Sequence, residues 1–134
     1  MVALRAQRTK GEKTMHSYKQ SANQTGLEVW PDLEEKGMEV LEGNPKPSGR
    51  IDWGNVGGPL TVGTFECTPG KFRLTYPFSE LSTILRGRVT ITDGEGNQET
   101  FGSGDSFFMA QGEDATWEIH ETVRKTFFLH IAAG

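Results

Sequence analysis

Cysteine and histidine are scarce in this sequence, which contains one cysteine, Cys67, and three histidines among 134 residues. A single cysteine excludes an internal disulfide framework and a zinc site built from several cysteines. No apolar run approaches the about 18 residues that a membrane-spanning helix needs, and the first 25 residues contain no apolar segment typical of a signal peptide. These absences predict a protein of the reducing cytoplasm that does not associate with a membrane.

Charge is distributed unevenly along the chain. Residues 1–26 carry five basic residues and one acid, whereas residues 27–134 carry nine basic and seventeen acidic residues, so net charges of +4 and −8 combine to the overall −4. An acidic body disfavours nucleic acid as a partner, because duplex DNA binds basic surfaces. We interpret the basic segment as a solvated tail, since it has no interleaved aromatic residue beyond Tyr18 and no amphipathic stripe.

The first third of the chain differs from the rest in the pattern of its polar and apolar residues. Residues 1–26 are polar and aperiodic, which predicts an arm of low order. In residues 27–50, Asp32 and Glu35 have the spacing of a helix start and Gly43 is a plausible helix end, but a strand lying on the main body fits equally well. We therefore assign residues 1–49 to an N-terminal extension and residues 50–134 to the main domain.

From residue 59 onward, short β-type runs alternate with turn signals. Phe72, Leu74 and Tyr76 alternate with polar residues, and Asp93–Gly96 reads as a hairpin turn. No helical pattern alternates with these runs, which excludes a parallel nucleotide-binding sheet. The pattern predicts an antiparallel all-β sandwich or barrel.

The spacing of glycine and glutamate narrows the fold. Glu80 is followed after six residues by Gly87, and the interval from Gly104 to Gly112 has the length of a second motif. This arrangement resembles the two motifs of the cupin superfamily, and the run Gly102–Met109 resembles the subgroup that includes ureidoglycine aminohydrolase and the ethanolamine-utilisation cupin. The resemblance covers about residues 50–131. It implies an all-β cupin jelly-roll barrel, a double-stranded β-helix, with an N-terminal extension.

The usual metal site of that superfamily is not supplied by these residues. The positions of its histidines hold other residue types: Arg73 and Thr75 in one register, Leu74 and Tyr76 in the other, and Ala115 in the second motif. Only Glu80 remains, whereas a transition metal needs about three or four converging ligands. We therefore expect no metal and no other cofactor, and the manganese-dependent release of ammonia by the aminohydrolase relatives does not carry over.

Side-chain alternation indicates which residues line the barrel interior. Lys125 is the one charged member of an otherwise apolar row on the last strand. A buried ammonium is costly unless it is paired, and Glu80 is its natural partner if both side chains point inward. Alternation also turns Trp117 inward, and we expect Arg73 and Tyr76 to reach the barrel mouth.

Two kinds of function are consistent with this set. In the first, Lys125 and Arg73 bind a small anionic or nitrogen-containing metabolite between Tyr76 and Trp117, and Glu80 is the acid/base residue of a metal-independent metabolic enzyme. In the second, the Glu80–Lys125 pair plugs the barrel of a non-catalytic ligand-binding or scaffold module. A metal-dependent aminohydrolase is the last alternative.

Two pairs of adjacent phenylalanines bear on the oligomeric state. Phe107 and Phe108 form one pair, and Phe127 and Phe128 form the other. Adjacent residues of a strand point to opposite faces, so one ring of each pair should lie on the outside of the sheet. An exposed ring is expected to be covered, which predicts a homodimer through an outer sheet.

Overall fold

A computed structural model describes residues 14–20 and 26–132. Its strands are antiparallel, and the only helix among the described residues is a 3-10 turn, Leu33–Lys36. The strands are β1 (Glu28–Val29), β2 (Glu39–Gly43), β3 (Pro47–Gly54), β4 (Leu60–Cys67), β5 (Gly70–Thr75), β6 (Ser79–Asp93), β7 (Gln98–Gly102), β8 (Ser106–Met109) and β9 (Asp114–His130). The all-β prediction is confirmed. Within these described residues, no helix has the length and apolar character needed to cross a membrane.

Two long strands, β6 and β9, hold the sheet together. β9 pairs with β4, β5 and β6, and β6 also pairs with β7 and β8. The first half of β6 pairs with the last half of β9, and the remaining halves pair with each other. Because both strands take part in neighbouring pairs on each side, the sheet curls around an apolar interior.

Gly87 marks the bend of β6 between its two halves. Its φ is +91°, and a Cβ built there would lie 2.2 Å from the carbonyl oxygen of Thr122 on β9. The register between β6 and β9 shifts on both sides of this point. Only glycine combines this backbone conformation with so close an approach, which explains the glycine found seven positions after Glu80.

The interior of the curled sheet is apolar and rich in aromatic rings. Its fully or nearly fully buried members include Phe72, Tyr76, Ile84, Val89, Ile91, Trp117, Ile119 and Val123. The phenylalanine pairs alternate as predicted: Phe127 is buried and Phe107 packs against the core, whereas Phe108 and Phe128 are exposed on the outer face. The core therefore receives one ring from each pair.

The sheet begins before the predicted boundary at residue 50, which falls inside β3. β3 pairs with β4 from Pro47 onward, and β2 pairs with β5. Residues 27–50 contain both a helical turn and a strand, the two predicted alternatives. The helical turn after Asp32 ends at Gly37 rather than Gly43, and the strand β2 lies on the main body. These strands satisfy their backbone hydrogen bonds within the same sheet, so the extension predicted for residues 1–49 contributes strands to it.

Part of the predicted arm, residues 14–20, contacts the outer face of the sheet. The Tyr18 hydroxyl donates to Oδ2 of Asp52 at 2.7 Å, and the His16 and Trp53 rings have centroids 6.4 Å apart. Burial and the Asp52 contact raise the pKa of Tyr18, so its phenol stays protonated as a donor. A polar anchor therefore connects this part of the predicted arm to the sheet. The rest of the predicted arm lies outside the described residues.

We expect Gly87→Ala to destabilise the protein far more than Gly96→Ala. Gly96 has nearly the same φ, +89°, but nothing lies within 4 Å of its Cβ position. Gly96→Ala should therefore cost only the left-handed backbone strain of about 1–2 kcal/mol, whereas the clash with Thr122 should raise the loss to about 3 kcal/mol or more. Urea unfolding of both variants measures the difference, and equal losses would contradict the proposed close approach.

Candidate functional site

A buried ion pair lies inside the barrel between β6 and β9. The Lys125 ammonium donates to Oε2 of Glu80 at 2.6 Å and to Oγ of Ser82 at 3.1 Å. The side chains of Lys125 and Glu80 are only 5% and 8% exposed. The expected inward pairing of these two residues is confirmed.

The geometry of the pair follows from the strand register. Glu80, Ser82 and Ile84 alternate on the inner face of β6, and Lys125 of β9 is opposite Ile84. The lysine stem therefore extends along the barrel past Ser82 to reach Glu80. This path buries the stem and delivers the ammonium to the carboxylate and the hydroxyl together.

Aromatic rings enclose the ammonium on its other sides. Nζ of Lys125 lies 4.5 Å from the ring centroid of Trp117 and 5.2 Å from that of Phe65. Cations are attracted to the electron-rich faces of such rings, most strongly to tryptophan. The ring of Trp117 also stacks on Phe72, with centroids 5.7 Å apart, so its position is fixed from the opposite side. The inward prediction for Trp117 is confirmed.

Tyr76 completes the polar cluster from the core rather than from the barrel mouth. It is 1% exposed, and its hydroxyl accepts a hydrogen bond of 3.0 Å from Nε1 of Trp117. Burial, and secondly the negative charge of Glu80, raise the pKa of Tyr76. Tyr76 therefore keeps its proton, and the contact with Trp117 leaves that proton free to be donated.

Arg73 does not join this group. Its neighbours Phe72 and Leu74 point into the core, so alternation turns Arg73 outward. Its side chain is 55% exposed and contacts Oε2 of Glu39 on β2 at 2.5 Å. Arg73 is part of a surface ion pair and is not an interior anion clamp.

Three neighbours of the cluster were not predicted from the sequence. Ser82 lies two residues after Glu80, and Phe65 faces inward on β4, so alternation alone could have indicated both. Trp30 gave no signal, because it lies in the extension. Its ring packs against Phe65 and occupies the space that a Cβ on Gly49 would need, at 2.4 Å.

Cys67 is a buried and unreactive neighbour of the cluster. It is fully buried, and burial raises the pKa of its thiol to about 12, although the positive charge of Lys125 acts in the opposite direction. Because the thiolate is the nucleophilic form, this cysteine is not a candidate catalytic residue.

The residues at this site do not fit a divalent metal ion. Glu80 is the one carboxylate of the cluster, and its oxygen is already bound by the Lys125 ammonium, a cation that would repel another. His120 is held on the outer side by Thr90, and His130 is exposed. Among residues 14–20 and 26–132, no three His, Cys, Asp or Glu side chains are grouped so that they could hold a metal.

Two clefts have volumes of about 450 and 260 Å³. Arg73 and Asp93 line the larger, Leu41 and Gln98 the smaller, and neither cleft is lined by Glu80 or Lys125. The residues opposite Glu80 on the neighbouring strands, Met109 and Leu129, are partly exposed. Glu80 therefore has partly exposed neighbours on both adjoining strands.

Comparison with known proteins gives a family and a fold. The model of the EutQ-like cupin domain family matches residues 56–127, more than half of the chain. No match was found among curated proteins.

Three solved structures are similar to this chain. The EutQ protein of Clostridium difficile has 16% identity and a TM-score of 0.58, with 67% of this chain and 71% of that chain covered. A DUF861 family protein from Pseudomonas syringae has 23% identity and a TM-score of 0.67, covering 83% of this chain but 46% of its own. An RmlC-like cupin from Shewanella frigidimarina has 16% identity and a TM-score of 0.54, with 71% and 83% covered. At these identities the likeness establishes the cupin barrel fold.

We expect Lys125→Ala to destabilise the protein much more than Arg73→Ala. The first variant leaves the Glu80 carboxylate buried without its cation, which should cost about 3–5 kcal/mol. The second breaks the exposed pair with Glu39, which should cost less than about 1 kcal/mol.

Urea denaturation followed by circular dichroism measures both losses of stability. The double variant Glu80→Met with Lys125→Met serves as the control, because an apolar replacement of both ions should restore most of the stability lost in Lys125→Ala. Similar losses in Lys125→Ala and Arg73→Ala would contradict the buried position of the Glu80–Lys125 pair.

We expect the Cys67 thiol to react very slowly with iodoacetamide in the folded protein. With a pKa of about 12, the folded protein at pH 8 has roughly a thousandth of the Cys67 thiolate that an unfolded chain has. Alkylation followed by mass spectrometry, with the protein in guanidinium chloride as the control, measures the ratio of rates. Comparable rates in the two conditions would show that Cys67 is accessible.

Proposed function

The chain belongs to the EutQ-like cupin domain family, and from this premise we propose that its barrel binds one small, nitrogen-containing polar metabolite at the Glu80–Lys125 pair, in the cytoplasm and without a metal ion. The site is formed by Glu80, Ser82 and Lys125, with Trp117 and Tyr76 as walls. Arg73, which lies outside the barrel, has no part in it.

One observation carries this proposal: a carboxylate, an ammonium and a hydroxyl converge within 2.6 and 3.1 Å at a buried point lined by aromatic rings. Removing each ion from water costs several kcal/mol, and an apolar core of similar volume is often as stable or more stable. The polar interior is therefore poorly explained by stability. It is well explained by a ligand that needs these groups.

The chemistry of the pair defines the class of ligand. A molecule that enters between Glu80 and Lys125 must accept a hydrogen bond from the ammonium and donate one to the carboxylate. A ligand that is only an anion would leave the Glu80 carboxylate buried without a partner. A ligand that is only a cation would leave the Lys125 ammonium buried without a partner. A compound with a carbonyl or carboxylate oxygen and an amine or amide nitrogen satisfies both residues.

Glu80 is also the candidate for proton transfer. Its carboxylate would face the N–H group of such a ligand, while Lys125 would stabilise negative charge on the ligand oxygen. Tyr76 keeps its proton and adds a second donor close to Glu80. With these roles the domain is a metal-independent enzyme acting at a carbon–nitrogen centre.

A non-catalytic binding or scaffold module is the second candidate function. This candidate is favoured by the closed state of the Glu80–Lys125 pair. The two charges already satisfy each other, and neither residue lines either of the two clefts. The two candidates differ in whether a bound ligand is converted, and only the first requires Glu80 as an acid or base.

We expect small amides and amino acids to raise the melting temperature more than acetate or methylammonium at the same concentration. Acetamide, urea and glycine carry both a donor and an acceptor, whereas acetate and methylammonium each satisfy one residue of the pair. Differential scanning fluorimetry ranks the compounds, and isothermal titration calorimetry measures their affinities. Arg73→Ala is the matched control and should bind as the unmodified protein does.

Glu80→Gln separates the roles of the carboxylate. If it binds the best compound but no longer converts it, the acid/base assignment is supported. Conversion that survives in Glu80→Gln with unchanged binding would refute that assignment. Binding that survives in the double variant Glu80→Met with Lys125→Met would refute the site itself.

A further inference from the structure

One aromatic ring of the N-terminal extension packs on the inner face of the curled sheet. Trp30 lies between β1 and the helical turn Leu33–Lys36. The centroid of its indole is 6.0 Å from that of Phe65 and 6.4 Å from that of Phe127. Both phenylalanines belong to the interior side of their strands, so the extension contributes a ring to the barrel site as well as strands to the sheet.

The indole occupies a slot that Gly49 keeps open on β3. Gly49 is opposite Phe65, and opposed residues of antiparallel strands share one face, so a side chain at this position would point inward. A Cβ built there would overlap the six-membered ring of Trp30 and would lie 2.7 Å from the carbonyl oxygen of Thr64. Gly49 does not have a positive φ. Glycine is therefore required here by the close approach of these neighbours and not by the backbone conformation.

The indole, the Phe65 ring and the Lys125 ammonium follow one another across the barrel. Phe65 is opposite Gly49 on one side and Lys125 on the other. Its ring centroid is 6.0 Å from that of Trp30 and 5.2 Å from Nζ of Lys125. Trp30 and Phe65 are partly exposed, whereas Lys125 is buried. The two rings therefore separate the ammonium from water on this side.

Phe65 lies between two tryptophans that differ in how firmly they are held. The centroid of Trp117 is 6.5 Å from that of Phe65, and the indole of Trp117 is fixed by its stack on Phe72. Trp30 follows a strand that pairs with β3 through two residues, and its backbone N–H donates to the carbonyl oxygen of Pro47 at 3.2 Å. Trp30 is thus the ring whose removal would leave Phe65 free to move.

We propose that Trp30 closes the barrel site and sets the upper size limit of its ligand, an inference that rests on the function proposed above. A ligand whose polar group lies between Glu80 and Lys125, and whose remainder extends toward β3, meets Phe65 and then the indole. A small amide such as acetamide has no such remainder. An amide that carries a benzene ring needs the space that the indole fills, so Trp30 selects against it.

Acrylamide quenching of tryptophan fluorescence tests the closure without relying on a bound ligand. The chain has three tryptophans, so in a Trp53→Phe background both Trp30→Ala and Trp30→Phe leave Trp117 as the only one. Trp117 is 2% exposed. The quenching constant of Trp30→Ala should be several-fold above that of Trp30→Phe, which keeps a ring in the slot.

Circular dichroism checks that the quenched variants are folded. Trp30→Leu, which keeps an apolar side chain without a ring, replaces Trp30→Ala if the alanine variant is unfolded. Equal quenching constants in the folded variants would overturn the proposal, because Trp30 would then not shield the interior.

Isothermal titration calorimetry with acetamide and benzamide tests the size limit. The unmodified protein should bind acetamide more tightly than benzamide. Trp30→Ala should gain about ten-fold or more in affinity for benzamide, because an apolar cavity left by a side chain accepts a benzene-sized group. Trp53→Ala is the matched control: this tryptophan contacts His16 of the segment on the outer face, and its removal should leave the preference unchanged.

The two experiments distinguish failure of this inference from failure of the proposed function. Binding of acetamide with an unchanged preference in Trp30→Ala would overturn the size limit and leave the proposed function standing. Binding of neither amide by any variant would refute the proposed function and the size limit with it, and the quenching constants would then decide alone whether Trp30 closes the interior.

Discussion

The interior of this barrel depends on one interaction, the buried ion pair between Glu80 and Lys125. At 2.6 Å and an effective dielectric constant of about 20, the attraction is about 6 kcal/mol. Desolvation of the two ions costs several kcal/mol each, so the attraction and the cost nearly cancel. The pair therefore contributes little net stability, yet losing either partner is expensive. The hydroxyl of Ser82 and the faces of Trp117 and Phe65 reduce the cost by replacing part of the water around the ammonium.

The same two strands carry the interior cluster and the exposed apolar side chains of Leu81 and Phe128, because consecutive residues of a strand alternate between faces. Glu80 and Ser82 point inward on β6 while Leu81 points outward between them. A register slip of one residue would bury Leu81 and expel Glu80, and the ion pair would be lost. The bend at Gly87 lets one long strand serve both halves of the barrel. Where the register shifts, the inward positions change from Ser82 and Ile84 before the bend to Val89 and Ile91 after it.

Much of the fold and part of the site followed from sequence patterns, and the exceptions have physical reasons. Alternation along β9 was sufficient to turn Trp117 and Lys125 inward, and the cost of a buried charge identified Glu80 as the partner. The same alternation, applied between Phe72 and Leu74, turns Arg73 outward, whereas motif spacing alone points to the barrel mouth. The role of Trp30 could not be predicted from the sequence, because it depends on contacts with Gly49 and Phe65 that no local pattern encodes.

The charge balance of the cluster connects the missing metal ligands with the proposed ligand class. A divalent ion beside one carboxylate would leave a net positive site, which attracts anions. Here the cation is an ammonium fixed to the chain, and with Glu80 it makes a site with no net charge. In a medium of low dielectric, a neutral site disfavours any ligand that brings an unbalanced charge. A molecule that carries its own donor and acceptor, and is neutral overall, can separate the pair without leaving either ion unpaired, which is why the proposed ligand combines nitrogen and oxygen.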